Sequence, residues 1–540
     1  MLIEERWRRL GGTFLESIAL VVAFASVGHV VLELEPVSGI AALVWPPSGI
    51  ALAAVLLRGY HLLPAVLIGS ALVMRSWNMP PLVIAVVALG NVVDTGLAAY
   101  LLRRMTGYQR SLDGLGHVLG LVAAVAVASL LSAVMCTGSL ILGGVVSTSM
   151  MVRTWRAWWV GNLLGNLIVA PLIISWANVR SFRISAAKLV EATALGLALV
   201  GTSIAIFFRD DIKYPFDNPY LFFPLFLWAA HRFGVCGASS AAAVVSGFAV
   251  WGTVQGTGPF IEPTLARSLL ELQTFLGCAV LTPLVVAGAV ADRTRAVRAR
   301  DDFLAVASHE LRTPLAAMLT QVEGLQRAVA RNPKVAVGER LAKVASSGRR
   351  LERLIEQLLD VTRISGGNLR LEPEPLDLAE LVRDVVGRFR EASMKVHSPI
   401  AVTGESDVRG CWDRTRIDQV ITNLIGNALK YGRGKPVVVN LEKNHEAVLC
   451  VRDHGIGIDE NVQQRIFQKF ERAVGTREFG GFGLGLWISR QIVEASGGSI
   501  GVRSERGQGS AFIVRLPLDH SLTSAEEMDH GGEAPAPARR

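Results

Sequence analysis

The sequence predicts a multidomain chain: a polytopic α-helical membrane domain, a dimeric helical hairpin that closes into a four-helix bundle, and an α/β sandwich. Three observations carry that prediction. Residues 13–290 are a succession of apolar runs, whereas 291–540 have the charged, mixed composition of soluble protein. Residues 303–364 hold two stretches of helical periodicity around a turn, the pattern of paired helices. From 369 to 518, helical and strand patterns alternate, as they do where helices cover a sheet.

The membrane domain comes first. After a basic segment at 1–12, spans are placed near 13–32, 38–57, 62–75, 82–102, 114–142, 158–177, 189–208, 220–233, 236–255 and 268–290. A bilayer core takes about 20 apolar residues per helix. The third and eighth runs are short enough to be re-entrant, so eight to ten spans are expected. Basic residues set the orientation. With the N-terminus inside, the cytoplasmic segments carry Arg6, Arg8, Arg9, Arg58, Arg103, Arg104, Arg110, Arg180, Arg183, Lys188, Arg232, Arg293, Arg295, Arg298 and Arg300. The other side holds only Arg75, Arg153, Arg156, Arg209, Lys213 and Arg267. The soluble half therefore belongs in the cytoplasm. Within the spans, Trp45-Pro46-Pro47 should break a helix and free backbone groups that need partners inside the bundle. Glu16, His29, Asp94 and Glu191 are intramembrane polar groups, costly unless they face the interior. A ligand site and helix–helix hydrogen bonding both account for them.

The net charge of +8 fits attraction to anionic membrane lipid at the inner face. Nucleic-acid binding is not expected, because no basic-aromatic patch accompanies the charge. The five cysteines, Cys136, Cys236, Cys278, Cys411 and Cys450, form no CxxC pair, which excludes a disulfide framework and argues against a zinc or iron–sulfur site. The first span lacks a small-residue cleavage site, so a cleaved leader is not expected.

Residues 291–302 are charged and helix-compatible, so the last span can run on as a helical linker into the hairpin at 303–367. Leu304, Ser308, Leu311, Leu315, Met318, Val322, Leu325 and Val329 recur at steps of three and four, the seam of a helix packed on partner helices. His309 lies beside that seam within Ser308-His-Glu-Leu-Arg-Thr-Pro-Leu315. Glu310 can hydrogen-bond one ring nitrogen, fixing the tautomer and making the other a better nucleophile. Pro314 removes a backbone donor one turn on and should bend the helix. The turn near Arg331-Asn-Pro-Lys334 leads to a second helix at about 337–364, ended by Gly366-Gly367. Two such helices leave an apolar stripe that a second copy of the hairpin buries, which predicts a homodimer.

The third domain, 368–518, carries four segments with nucleotide chemistry. Helices are predicted at 376–392, 413–431 and 484–496, and strands at 437–441 and 447–451. Asn423 and Asn427 share one helix face, where an amide oxygen can ligate Mg²⁺; buried structural amides are the equally open alternative. Lys430 adds charge and Tyr431 can stack near a base. Asp453-His-Gly455-Ile-Gly457 follows a strand, so its carboxylate can accept a hydrogen bond from an adenine amino group. Gly480-Gly481-Phe-Gly483-Leu484-Gly485 opens a helix whose N-terminus can cradle phosphate. Gly507-Gln-Gly509 turns into the last strand. Between them Phe467-Gln-Lys-Phe470-Glu-Arg472 offers two aromatics to anchor a lid and an arginine for the γ-phosphate. Residues 519–540 are polar and rich in Ala, Pro and Gly, the composition of a disordered tail.

By the order of SHELRTPL, NLIGNALKY, DHGIGI, FQKF and GGFGLGL, residues 303–518 closely resemble the sensor histidine kinases of two-component systems. The resemblance implies a dimerisation and phosphotransfer hairpin followed by a GHKL-type (Bergerat) ATP-binding domain, with ATP and Mg²⁺ as cofactors. It implies that His309 accepts the phosphoryl group with Glu310 as base, and that Thr313 orients hydrolytic water where such kinases act as phosphatases. Asn427 would hold Mg²⁺, with Asn423 and Lys430 near the phosphates. Asp453 would read adenine, while Gly455, Gly457, Gly481, Gly483, Leu484 and Gly485 would shape the lid and phosphate loop. Phe482 departs from the threonine or serine of many relatives, which removes a hydroxyl contact and leaves the glycine backbone intact. No receiver-like acidic cluster follows 518, so the resemblance implies transfer to an aspartate of a separate response regulator. In the first half, Val44-Trp-Pro-Pro-Ser-Gly and Trp158-Trp-Val-Gly-Asn162-Leu-Leu-Gly-Asn-Leu resemble the MASE type-one membrane sensor domain over roughly 10–290. Asn162 stands where many relatives have aspartate. Together these imply a multi-pass protein of the bacterial inner membrane with its kinase domain in the cytoplasm. A transporter with a gating domain, or an ATP-driven clamp, would each leave part of the kinase constellation without a purpose.

Overall fold

The computed structural model describes residues 2–34, 42–108, 111–112, 114–179, 185–208, 218–331, 337–365, 369–432, 434–469, 471 and 483–518. They form two compact units, Met1–Arg298 and Ala299–Arg540. Phe470, Arg472, Gly481, Phe482, the Asn332-Pro333 turn, Gly366-Gly367 and the tail from 519 lie outside the described residues.

The first unit is all helix: α1 (Leu2–Leu34), α2 (Pro46–Arg58), α3 (Leu63–Ser76), α4 (Pro81–Thr106), α5 (Leu115–Leu142), α6 (Met151–Ala177), α7 (Ala186–Phe208), α8 (Phe222–Val254) and the first part of α9 (Leu265–Arg331). Among the described residues, seven helices are long and apolar enough to cross a membrane. Against the eight to ten expected spans, the helices differ in layout in two places. Helices α2 and α3 have 13 and 14 residues, and at 1.5 Å per residue each covers only about 20 Å. The runs at 220–233 and 236–255 are one assigned helix, α8, whose path breaks at Gly234, where φ is 62° and ψ is −148°.

The expected break at Trp45-Pro46-Pro47 is present, because α2 starts at Pro46. Its freed groups are satisfied inside the bundle: Trp45 N–H donates to the Gly161 carbonyl at 2.9 Å, and the Trp45 carbonyl accepts from Ser48 Oγ at 2.8 Å. Of the four flagged polar groups only Asp94 is buried. Glu16 pairs with Arg58 and His61, His29 with Glu33, and Glu191 with Arg232 and Trp228.

The second unit contains the rest of α9, then α10 (Gly338–Ser365), β1 (Glu374–Asp377), α11 (Leu378–Arg388), α12 (Arg390–Lys395), β2 (Ile400–Gly404), β3 (Arg409–Trp412), α13 (Arg414–Tyr431), β4 (Val437–Lys443), β5 (Glu446–Asp453), α14 (Glu460–Gln463), α15 (Gly485–Ala495), β6 (Ser499–Glu505) and β7 (Gly509–Pro517). Helix assignment continues through Pro314. The five-stranded sheet has order β2-β4-β5-β7-β6, parallel only between β2 and β4; β1 and β3 form a separate antiparallel pair. The helix expected over 376–392 starts later and divides at Phe389 into α11 and α12. Asp377 explains the start: its Oδ1 accepts from the backbone of Ala379 and Val408, capping α11. Burial works to raise this carboxyl, but the backbone N–H groups outweigh it and hold it below the usual range.

The core under the sheet follows from spacing. On α13, Ile417, Val420, Ile421, Leu424, Ile425 and Ala428 recur at steps of three and four and are all buried. Each large apolar chain among them contributes about 1.5–3 kcal/mol by leaving water. That packing fixes the helix's other face, which carries Asn423, Asn427 and Lys430. Trp412 is fully buried and gives its Nε1–H to the Pro517 carbonyl at 3.0 Å, closing the end of the sheet.

Candidate active site

The predicted nucleotide residues meet around one cavity of about 1150 Å³ in the second unit. Asn423, Asn427, Lys430 and Tyr431 reach it from α13, Asp453 and Gly457 from the end of β5, and Gly483, Leu484 and Gly485 from the start of α15. Gly455 stands behind this wall, where Ile456 N–H meets the Tyr431 carbonyl at 3.4 Å.

Asp453 ends a central strand and is 4% exposed. Its Oδ1 accepts from Gly455 N–H at 2.8 Å, and burial nonetheless pushes the carboxyl above the usual carboxylate range. The carboxyl also accepts from the Ser510 backbone and lines the cavity, where a carboxylate suits an amino-group donor such as that of adenine. The loop beyond it needs glycine at 457: φ is +68°, and a Cβ there would run into the Glu505 carbonyl. Gly507 N–H donates to the Ile456 carbonyl at 2.7 Å, so the turn before β7 braces the same loop.

The opposite wall is set for anions. Helix α15 begins at Gly485 with no side-chain cap, leaving its first N–H groups for phosphate oxygens. Lys430 Nζ lies 5.1 Å from the Tyr431 ring centroid, a cation–π contact at the cavity edge. Asn423, expected near the phosphates, lines the cavity and also makes a structural contact. Its Nδ2 donates to Ser489 Oγ at 2.9 Å, and a Cβ on Gly485 would overlap its Oδ1. Asn423 therefore ties α13 to α15, and Gly485 is required by that close approach.

Residues that sequence reasoning passed over complete the cavity. Asp360 of α10, 7% exposed, accepts from Arg416 Nη1 at 2.8 Å and Gln419 Nε2 at 2.6 Å on α13. Phe467 is buried and meets Phe512 edge-on at 6.4 Å, so one of the two lid aromatics is anchored on the sheet.

His309 is not among the cavity-lining residues. Its side chain is 79% exposed on α9, and its Nδ1 lies 3.7 Å from Glu310 Oε1. That is an ion-pair distance, longer than the hydrogen bond expected from the sequence. Thr313 Oγ1 donates to the His309 carbonyl at 3.1 Å. Nδ1 is thus the ring nitrogen nearer the carboxylate, and the ring as a whole is exposed.

Comparison with known proteins matches this layout. Residues 299–367 match the His Kinase A (phospho-acceptor) domain, and 412–520 match the histidine kinase-, DNA gyrase B- and HSP90-like ATPase. The sensor protein SrrB of Staphylococcus aureus (strain N315) is 34% identical over 222 residues, 40% of this chain and 38% of SrrB. The chain thus spans well under half the length of the curated relatives it matches. Among solved structures, the Acinetobacter baumannii histidine kinase AdeS is 23% identical, covering 39% of this chain and 98% of that one with a TM-score of 0.32. Histidine kinase ThkA in complex with response regulator protein TrrA is 26% identical, covering 42% and 64% with a TM-score of 0.32. Residues 16–295, just over half of the 540, match MASE1. The chain belongs to the MASE1 family and joins that membrane sensor domain to the phospho-acceptor and ATPase domains of histidine kinases.

Proposed function

We propose that this protein is a membrane-bound sensor histidine kinase that phosphorylates His309 from ATP and passes the group to an aspartate of a separate response regulator. The observation that carries the proposal is the pairing of an exposed imidazole, backed by a mostly buried carboxylate, with a nucleotide-shaped cavity in the same compact unit. Phosphoryl transfer rests on positioning and charge neutralisation. Nε2 of His309 attacks the γ-phosphorus, the bond to the ADP oxygen breaks, and Glu310 takes up the Nδ1 proton.

Asp453 orients the adenine, and the α15 N-terminus with Lys430 receives phosphate oxygens. Mg²⁺ supplies further charge neutralisation at the phosphates when bound. The Asn427 amide oxygen would hold the ion together with phosphate oxygens and water. Thr313, one turn beyond His309, would orient the hydrolytic water in the phosphatase direction.

Dimerisation has a physical basis in this unit. Leu304, Leu315, Leu319 and Val322 of α9 and Leu341, Ile355 and Leu359 of α10 are large apolar residues left exposed. A second copy of the hairpin would cover them in a four-helix bundle. The basic-residue bias places the second unit on the cytoplasmic side of a bacterial inner membrane, with anionic lipid against the basic flanks.

The test is labelling of the full-length protein in lipid nanodiscs with ATP carrying a radioactive γ-phosphate. Acid-labile, base-stable label that disappears in His309→Gln supports the proposal. A His309→Gln protein that labels as strongly as the unaltered chain, or an unaltered chain that binds ATP and never labels, refutes it.

A further inference from the structure

The membrane unit contains a charge that the kinase reading does not use. Among the described residues of Met1–Arg298, Asp94 is the only charged side chain that is buried, at 1% exposure. It sits midway along α4. Its Oδ1 accepts from Ser129 Oγ of α5 at 2.7 Å, and its Oδ2 accepts from Asn166 Nδ2 of α6 at 3.1 Å. Both partners are neutral, and two neutral hydrogen bonds do not compensate an ionised carboxylate taken out of water.

The surroundings sharpen the deficit. Asn166 Oδ1 and Asn91 Oδ1 are buried with no donor to either. Because Asn166 turns its nitrogen to Asp94, its oxygen lies one amide width away on the same side. Asn91 precedes Asp94 by one helical turn and spends its Nδ2 on Ser70 Oγ of α3 at 2.7 Å. Exchanging nitrogen and oxygen on Asn166 would set oxygen against carboxylate, so the orientation follows from the charge. Asn166 Oδ1 is thus an unmet acceptor next to the carboxylate and Asn91 Oδ1 a second one helical turn before it, while the buried donor without a partner on α6, Asn162 Nδ2, lies one turn before Asn166. Acceptors with no donor call for positive charge.

Among the described residues no basic side chain provides it. On α4, Arg103 is nine residues on, about 14 Å along the axis, and donates to the Val55 and Leu56 carbonyls. Arg58 ends α2 and pairs with Glu16. Arg75 closes α3, Arg153 and Arg156 open α6 at least ten residues before Asn166, and His117 on α5 is twelve residues before Ser129. Among the described residues, the titratable group that faces the site is the Cys136 thiol of α5, which packs against Gly90 one turn before Asp94.

We propose that Asp94, with Ser129, Asn166 and Asn91, forms a binding site inside the membrane domain for one small monovalent cation, a proton or a sodium ion. One carboxylate among neutral oxygens balances a single positive charge, and an all-oxygen set suits a hard ion. The site makes a cation the chemical class that the first unit registers.

Binding is measured on the full-length protein in nanodiscs, without ATP, so the outcome is separate from kinase activity. Equilibrium binding of radioactive ²²Na⁺ and the infrared band of a protonated carboxyl at neutral pH are recorded for the unaltered chain and Asp94→Asn. Saturable binding of one sodium per chain that is lost in Asp94→Asn identifies sodium. Absence of sodium binding, with a protonated-carboxyl band that vanishes in Asp94→Asn, identifies a proton. No sodium binding, with an ionised Asp94, overturns the proposal. Should Asp94→Asn fail to fold, Asn166→Ala and Ser129→Ala serve instead. Each should weaken sodium binding about tenfold or more, or move the carboxyl titration, and a lack of effect in both overturns the proposal equally.

Discussion

Asp94 and Asp453 are both buried, at 1% and 4% exposure, and they are held in opposite ways. Asp453 ends a strand and is held by backbone groups, Gly455 N–H two residues on and Ser510 on the paired strand β7. Asp94 depends on side chains 35 and 72 residues away on other helices. The difference teaches how each half encodes polar function. The catalytic domain writes it locally, in short boxes whose backbone geometry makes the site. The membrane domain assembles it from several helices, with single polar residues spaced through apolar sequence.

The largest effect should come from breaking a local box. Gly457→Val puts a branched side chain at φ +68° against the Glu505 carbonyl, and should destabilise the domain by about 3 kcal/mol or more. Hydrogen exchange should rise across β5, β6 and β7 together. Unchanged protection there would mean the box is not rigid. Next, Asp453→Ala should weaken ATP binding about 100-fold, about 2.7 kcal/mol, as a charged hydrogen-bond acceptor is lost. Calorimetric titration of the full-length protein checks it, with fold monitored by the same exchange pattern.

A non-local contact in the second unit tests the comparison from the other side. Asp360→Ala leaves Arg416 and Gln419 without their shared carboxylate, with Arg416 and Asp360 side chains only 17% and 10% exposed. A loss of about 1–3 kcal/mol is expected, seen as faster exchange in α10 while α15 keeps its protection. If α15 loosens equally, the contact belongs to the nucleotide site and not to the hairpin docking.

The smallest effect is a pH dependence. The Asp453 carboxyl sits above its ordinary value because of burial. Its folded state therefore takes up a proton more readily than the unfolded chain does. The folding penalty from its charge is fully present above the raised folded value and is relieved as pH falls through that value toward the ordinary one. ATP binding needs the charged acceptor, so affinity should decline on acidification earlier than for an ordinary aspartate. Asp453→Asn, which keeps an acceptor oxygen without a proton to gain, should flatten that decline; an unchanged pH profile would assign it elsewhere.

The same contrast explains what was legible in the sequence. Helix α13 could be placed from the spacing of Ile417, Val420, Ile421, Leu424 and Ile425, and its polar face from Asn423 and Asn427. The break before α2 followed from two prolines, although the span itself was placed at 38–57. Three things were not legible. The role of Asn423 as a tie to Ser489 depends on a partner 66 residues away. The Asp360–Arg416–Gln419 network joins residues 56 and 59 apart, with no local pattern to announce it. And Glu16, His29, Asp94 and Glu191 look alike as isolated polar residues among apolar ones, yet only Asp94 is buried. Hydropathy reports that a residue is polar, not which way its helix turns.

The most direct test of the central proposal is to locate the phosphoryl group itself. The full-length protein in nanodiscs is incubated briefly with ATP and Mg²⁺, digested at neutral pH, and the peptide spanning Ala305–Leu325 is sequenced by tandem mass spectrometry under conditions that keep phosphoramidate bonds. The expected result is one phosphoryl group on the His309 ring, absent from Asp453→Ala at the same ATP concentration. Phosphate on Ser308 or Thr313 with an unmodified His309, in a protein shown to bind ATP, would contradict it.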